Sequence, residues 1–254
     1  MKDLQREILS QVATGKISAE EGAARLEALE SPAEEAPASV APAPTPTAGI
    51  REVRVRSRFG NAEIIGDASI SGAVADGPHR ARQEGDVLVI EQSPLTGETS
   101  FEFSRRHARV VVNGLDVPNV LTVRMNPSLP LTARVQAGNL RVKGLTGPIA
   151  ADVQAGSCNV DGFGGPVTLS AMAGNIDAFG KLDGGKSSIR CQMGEVNLGL
   201  ARGSSVRLRT RSTMGDVAIE GAGVRKDRGE ILVGSGAGTL DLDTTFGSIK
   251  VNVE

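Results

Sequence analysis

Seven glycines carry the same side-chain pattern around them, and this repeat limits the fold of the 254-residue chain more than any other feature. Two and four residues after each glycine, and seven before it, the side chain is apolar or small, while the residues between are mostly polar. Because alternate side chains of a strand face the same way, offsets of two predict strands on both sides of each glycine. The glycines are Gly60, Gly138, Gly156, Gly174, Gly194, Gly215 and Gly247.

The spacing of these glycines predicts how the strands are arranged. From Gly138 to Gly215 the intervals are 18, 18, 20 and 21 residues, and a period of this length is typical of stacked repeats. The gap from Gly215 to Gly247 is 32 residues and indicates an insertion. We therefore predict an all-β fold, a stacked-coil β-solenoid resembling a β-helix. Its last strand, with Val251 and Val253, is expected to form an open edge.

Composition narrows the classes of function. The chain has no Trp or Tyr and only six Phe, so the core is expected to consist of aliphatic side chains. A net charge of −2 does not indicate a polyanion-binding protein. Motifs of serine hydrolases, phosphate-binding loops and metalloproteases are absent, and Cys158 and Cys191 are expected to be small buried hydrophobes without a disulfide. We expect no enzyme activity, no cofactor and no metal.

The first 49 residues differ from the repeat. Residues 1–30 predict a helical hairpin, since apolar residues recur at helical spacing on one face. Thirty residues are too few to bury a core, so this hairpin is expected to drive oligomerisation or to bind a partner. Residues 31–49 are rich in Pro and Ala and predict a mobile linker to the domain at 50–254. The candidate oligomerisation residues are Leu4, Ile8, Val12, Leu26 and Leu29.

One strand is unusually basic. Arg207, Arg209 and Arg211 alternate with Leu208 and Thr210, so all three arginines are expected on one solvent-facing side. One interpretation is a solvated strand face paired with neighbouring carboxylates; the other is a contact for anionic lipid, an acidic polymer or nucleic acid. Nucleic acid is the less favoured ligand because single-strand binding usually adds aromatic stacking. The full candidate set is Arg207, Arg209, Arg211, Arg225, Lys226 and Arg228.

Two sets of oxygen-bearing residues are candidates for functional groups. The residue after each glycine is polar, Asn139 being an example, which suits tight bends; stacked side chains of this kind form a line of oxygens rather than a cation cage. Asp152, Asp161 and Asp177 would serve a polysaccharide-acting enzyme on a β-helix. However, Asp161 and Asp177 lie five and three residues after their glycines, and we expect them on different faces.

Residues 50–254 resemble a known repeat family. The run LTVRMNPSLPLTARVQAGNLRVKGLTGPIAADVQAGSCNV and the ending TTFGSIKVNV resemble the β-strand-repeat "putative adhesin", or toastrack, domains. The segment GKISAEEGAARLEAL resembles the short SHOCT-type helical domain. The resemblance implies a stacked, non-enzymatic all-β domain that acts in interactions or in sensing bacterial envelope stress.

These observations predict a non-enzymatic scaffold or interaction protein linked to bacterial cell-envelope stress or surface functions. Its partner is expected to be a second copy of the chain, as an oligomer or polymer, or another protein. The N-terminal segment is charged and lacks an apolar run, which predicts a cytoplasmic location. The alternatives are a regulator at an anionic membrane surface or on nucleic acid that uses the Arg-rich strand, and the polysaccharide-acting enzyme.

Overall fold

The computed structural model describes residues 49–93, 99–104, 107–112, 115–116, 120–221, 224–227 and 230–254, with the backbone course alone for 99–116 and 226–227. Within these ranges the chain forms twenty-three strands and no helix, so the prediction of an all-β domain is confirmed. The helical hairpin at 1–30 and most of the linker at 31–49 lie outside the described residues and stay predictions. In the part described, no helix has the length and apolar character that a membrane crossing requires.

Two long sheets and one small sheet contain all these strands, numbered in chain order. Sheet A has eleven strands in the spatial order β20 (Val224–Asp227), β21 (Glu230–Val233), β18 (Val206–Met214), β22 (Gly238–Phe246), β16 (Lys186–Met193), β14 (Val167–Ala173), β12 (Ile149–Ala155), β10 (Leu131–Ala137), β1 (Glu52–Phe59), β5 (Val87–Gln92) and β4 (His79–Glu84). Sheet B has nine, in the order β19 (Val217–Gly221), β23 (Ile249–Val253), β17 (Val196–Leu200), β15 (Ile176–Gly180), β13 (Cys158–Phe163), β11 (Leu140–Lys143), β2 (Asn61–Gly66), β9 (Val120–Met125) and β3 (Ala73–Asp76). The small antiparallel sheet contains β6 (Thr99–Ser104), β7 (His107–Val112) and β8 (Leu115–Asp116).

Each of the seven glycines joins one strand of sheet A to one strand of sheet B, and we call this strand–bend–strand segment a unit. Neighbouring units pair in parallel and in register, so that Leu140 lies beside Cys158 and Cys158 beside Ile176. Most of the residues predicted to be apolar face inward between the sheets and form one buried cluster; the exception is the edge strand β19, where Val217 is exposed and Ile219 is part-buried. The equivalences read from the sequence between repeats are therefore confirmed by the strand register.

Glycine is required at the bends for two separate reasons. All seven have φ between +127° and +143°, a region that residues with a side chain rarely adopt. They also stack closely: a Cβ atom on Gly156 would lie 1.9 Å from the carbonyl oxygen of Gly138 in the neighbouring unit. A Cβ atom would overlap with the neighbouring bend glycine in the same way along the stack, so the absence of a side chain allows successive units to pack closely.

The polar residues after the glycines bond between units. Asn61 Oδ1 accepts the backbone N–H of Asn139 at 3.1 Å, and Asn139 Oδ1 accepts that of Ser157 at 3.1 Å. Asn175 Oδ1 accepts the N–H of Glu195 in the same way, also at 3.1 Å. The sequence predicts that these side chains bond within their own turn. In the structure they instead accept a backbone N–H of the next unit, and this hydrogen bond holds the two units in register at the bend.

The order of the units in space departs from their order in the chain. The last unit, β22–β23, lies between β16–β17 and β18–β19 in both sheets, and is therefore inside the stack. At the opposite end β1 and β2 are likewise covered, by β5 and β9. The prediction of an open edge at Val251 and Val253 is therefore wrong, because β23 pairs with β17 on one side and β19 on the other.

The outer edges of the stack differ in how they are protected. The edge strands of sheet A, β4 and β20, carry several charged residues. One edge strand of sheet B, β3, is only four residues long. Charged residues and a short edge strand both discourage pairing with a further strand. The exposed edge in sheet B is β19, with Val217 and Ile219. The terminal unit is also adapted to water at one position, since Thr210 is the register partner of the buried Leu242 in the unit beside it.

Both cysteines are buried and free, as expected. Cys158 lies in sheet B and Cys191 in sheet A. Burial raises the pKa of the Cys158 thiol to about 12, with a further contribution from the charge of Asp177. Burial also raises the pKa of Cys191, whose thiol donates to the carbonyl of Gly174 at 3.3 Å. Both groups therefore stay protonated near neutral pH and act as small core side chains.

Candidate interaction surfaces

The basic strand β18 lies near one end of sheet A. Arg207, Arg209 and Arg211 are all exposed, alternating with Val206 and Leu208, which are buried. Of the three other candidates, Arg225 is exposed on β20, Lys226 is described only in its backbone course, and Arg228 lies outside the described residues.

Carboxylates flank this strand on both sides. Arg209 Nη2 lies 2.8 Å from Glu230 Oε1, and Arg207 Nε lies 3.4 Å from Glu230 Oε2. On the other side, Asp241 and Asp243 of β22 are the register partners of Arg209 and Arg211. Hydrogen bonding to Glu230, followed by the charge of Glu230, raises the pKa of Arg209. The local charge of the strand is thus largely offset, which favours the solvated, paired strand face over an anion-binding surface.

An apolar ladder runs along the rim where sheet A turns into sheet B. Met193, Phe246 and Met214 are register neighbours on β16, β22 and β18, and their exposed fractions are 51%, 52% and 61%. Val217, just beyond the bend on β19, is 41% exposed. We call these four residues the apolar ladder. Large apolar side chains exposed side by side mark interaction surfaces in soluble proteins.

The ladder could have been found in the sequence. The residue immediately before each bend glycine is Phe, Ala or Met in all seven repeats, although it lies at a bend where polar residues are usual. Three alanines occupy this column in the middle of the stack, and larger side chains occupy it at both ends. The column is Phe59, Ala137, Ala155, Ala173, Met193, Phe246 and Met214 in spatial order.

The outer face of sheet B carries a shallow depression of about 310 Å³. Its wall and floor come from neighbouring strands β13, β15, β17 and β23. Asn197 Nδ2 donates to Asp177 Oδ1 at 2.9 Å, which orients both side chains. The ring of Phe179, 40% exposed, lies over Gly199. The polar and aromatic side chains of the lining are Asn159, Asp161, Asp177, Phe179, Asn197 and Asn252.

The depression corrects the prediction that Asp161 and Asp177 lie on different faces. Offsets of five and three from the glycines differ by two, so both side chains project from the same face of sheet B and line the same depression. Asp152 lies on β12 in sheet A and is not part of it. Among the residues whose side chains are described, no group of three or more His, Cys, Asp or Glu is placed to hold a metal ion.

The residues predicted for oligomerisation, Leu4, Ile8, Val12, Leu26 and Leu29, lie outside the described residues. The structure therefore brings together the three arginines of β18 and, separately, Asp161 with Asp177, and it adds the apolar ladder and Phe179.

Comparison with known proteins gives one structural neighbour. No protein-family model matches the chain, and no curated protein matches it. Among solved structures, the chain is similar to a "putative cell adhesion protein from Clostridium sporogenes ATCC 15579", solved by crystallography at 1.95 Å resolution. The sequence identity is 15% and the TM-score is 0.42, with 81% of this chain and 94% of that chain covered.

Proposed function

We propose that this protein is a non-enzymatic interaction protein, a scaffold that self-associates through the apolar ladder. The observation that carries the proposal is the side-by-side exposure of Met193, Phe246 and Met214 on three neighbouring strands. Strands in a sheet lie about 4.8 Å apart, so these side chains form one continuous apolar strip. Met and Phe are also enriched where proteins meet, and the flexible Met side chain adapts to its partner.

Self-association through the ladder explains features that end-to-end stacking does not. Stacking of whole units would cover Val217 and Ile219 of the edge strand β19, but it would leave Met193, which lies further inside the stack on β16, exposed to water. The ladder instead lies on the rim, and its strip continues to Val217 at the exposed edge. A second copy packed on the rim would remove all four apolar side chains from water.

Two finer elements belong to the same proposal. Each unit gives one strand to each long sheet, which supports winding of the units as the turns of a β-solenoid. The helical spacing in residues 1–30 supports a hairpin that adds a second oligomerisation contact, so that weak contacts act together. The resemblance of residues 50–254 to adhesin-type repeats is the ground for linking this role to the bacterial cell envelope.

Light scattering on the full-length chain tests the proposal. We expect a mass above the 26.3 kDa of one chain for the unchanged protein, and a lower mass for the double variant Phe246→Ser/Met214→Ser. The matched control is Met172→Ser, which removes an apolar side chain that is 48% exposed but does not belong to the ladder. The control should keep the mass of the unchanged protein.

A deletion of residues 1–30 separates the two contacts. If the hairpin adds a contact, the deletion lowers the mass further in the double variant. If the mass falls only on deletion and is unaffected by Phe246→Ser/Met214→Ser, the ladder is not the self-association surface and the proposal is wrong. A single-chain mass for the unchanged protein at all concentrations contradicts self-association altogether.

A further inference from the structure

The depression on the outer face of sheet B is separate from the apolar ladder and combines an aromatic ring with oriented polar groups. We propose that it binds a neutral saccharide, whose apolar ring face stacks on Phe179 while its hydroxyl groups bond to the surrounding amides and carboxylates. The volume of about 310 Å³ lies at the lower end of the range of small-ligand sites, about 300–1,000 Å³. It suits one sugar ring of a longer chain.

Phe179 is the apolar platform of this site. Its ring lies over Gly199, where a Cβ atom would come within 2.5 Å of Cδ2 of the ring. The backbone of Gly199 does not have the positive φ that requires glycine elsewhere in the chain, so the space for the ring is the reason for glycine here. The ring of Phe179 therefore packs against the sheet and is still 40% exposed, so that its outer face can stack on a ligand.

The polar groups around Phe179 match the hydroxyl groups of a sugar. Asn197 donates to Asp177 Oδ1 at 2.9 Å, and this contact leaves the amide oxygen of Asn197 and the second carboxylate oxygen of Asp177 as acceptors for a ligand. Two adjacent hydroxyl groups can bond to such a pair at the same time. Asn159 and Asn252 contribute further amide donors and acceptors at the wall of the depression.

Charge selects among ligand classes. Asp161 and Asp177 are the charged side chains of the lining and disfavour phosphate, sulfate and carboxylate ligands by like-charge repulsion. Arg141 and Lys250 lie on the same face of sheet B but outside the lining. Lys143, the register partner of Asp161, does not offset this charge, because its Nζ lies 2.9 Å from Glu63 Oε1 instead. Neutral, hydroxyl-rich ligands remain the best match to a ring surrounded by amides and carboxylates. The depression is shallow, so a single site is expected to bind weakly, and self-association would strengthen binding to a polymeric ligand.

Binding is tested first on an array of immobilised neutral and acidic oligosaccharides, with the full-length protein. We expect retention on neutral oligosaccharides and none on sulfated or phosphorylated ones. One retained neutral oligosaccharide is then titrated in solution by calorimetry, where each ligand occupies one site and avidity does not contribute. There Phe179→Ala should weaken binding on the order of tenfold or more. Asn197→Ala should weaken it as well, because Asp177 loses its partner.

A control variant outside the depression shows whether the loss of binding is specific to Phe179. Met172→Ala removes an exposed apolar side chain that belongs to neither the ladder nor the depression and should leave the affinity in solution unchanged, and thermal melts check that each variant is folded. The proposal is overturned if no neutral oligosaccharide is retained, if Phe179→Ala binds as tightly as the unchanged protein, or if the depression binds only a polyamine such as spermidine in a salt-sensitive way. These failures leave the light-scattering result on self-association untouched.

Discussion

Replacing Gly156 by alanine is expected to unfold the protein or to lower its free energy of unfolding by about 3 kcal/mol or more. Two causes act together. The φ of +136° at this bend is strained for any residue with a side chain, and the new Cβ atom would lie 1.9 Å from the carbonyl oxygen of Gly138. Because the neighbouring strands pair on both sides of the bend, the units cannot separate without breaking hydrogen bonds.

Two other glycines separate these causes. Gly144 has a φ of +66° but nothing within 4 Å of a new Cβ atom, so Gly144→Ala should lower the free energy of unfolding by about 1 kcal/mol. Gly184 has neither positive φ nor a close neighbour, so Gly184→Ala should be neutral or slightly stabilising. Urea unfolding followed by circular dichroism measures all three variants. If Gly156→Ala were as stable as Gly184→Ala, the close stacking of the bends would be wrong.

A charge at Cys158 is expected to have an effect of similar size. The side chain of Cys158 is completely buried between Leu140 and Ile176, and its thiol pKa of about 12 shows how strongly this position disfavours a charge. In Cys158→Asp the carboxylate must either be buried unpaired or take up a proton. We expect the variant not to fold at neutral pH, or to lose about 3–5 kcal/mol of stability.

The matched control for this variant is Gln154→Asp, at an exposed position on β12. It introduces the same side chain on the outer face and should change the free energy of unfolding by less than about 0.5 kcal/mol. The Cys158→Asp variant should also regain stability as the pH falls, because burial raises the carboxyl pKa and protonation removes the charge. Equal stability of the two variants would mean that the assignment of inner and outer faces is wrong.

Much of the fold could be predicted because the repeat is a direct consequence of strand geometry. A side chain that faces the core in one unit faces it in all, so the columns that contain Leu140, Cys158 and Ile176 are visible in the sequence. The requirement for glycine at the bends is visible for the same reason. The overlap between successive glycines is not, since it depends on how closely neighbouring units approach.

The spatial order of the units could not be read from the repeat. Every inner position accepts the same kind of aliphatic side chain, so the pattern around Gly247 fits beside Gly194 as well as beside Gly215. The long gap before Gly247 indicates an insertion, but it does not predict beside which unit the strands around Gly247 pair. The β20–β21 hairpin within that gap pairs with one side of β18, and the last unit then occupies the other side.

The candidate surfaces were predicted only in part, for related reasons. Alternation places Arg207, Arg209 and Arg211 on one outer face, but the carboxylates that offset them come from β21 and β22, which are distant in the sequence. Likewise, Met193 and Phe246 are 53 residues apart and become neighbours only through the insertion of the last unit.

The insertion of the last unit sets the order of the units and places Phe246 between Met193 and Met214 along the apolar ladder, and disulfide cross-linking tests it most directly. Cysteine pairs are introduced at Met193 with Phe246 and at Met193 with Met214, in a background of Cys158→Val and Cys191→Val at dilute concentration. Neighbouring strands lie about 4.8 Å apart and disulfides do not form when Cα atoms are more than about 7 Å apart. We expect a disulfide within one chain for Met193→Cys/Phe246→Cys and none for Met193→Cys/Met214→Cys. The reverse result would mean that the units stack in chain order and that the last unit is not inserted between β16–β17 and β18–β19.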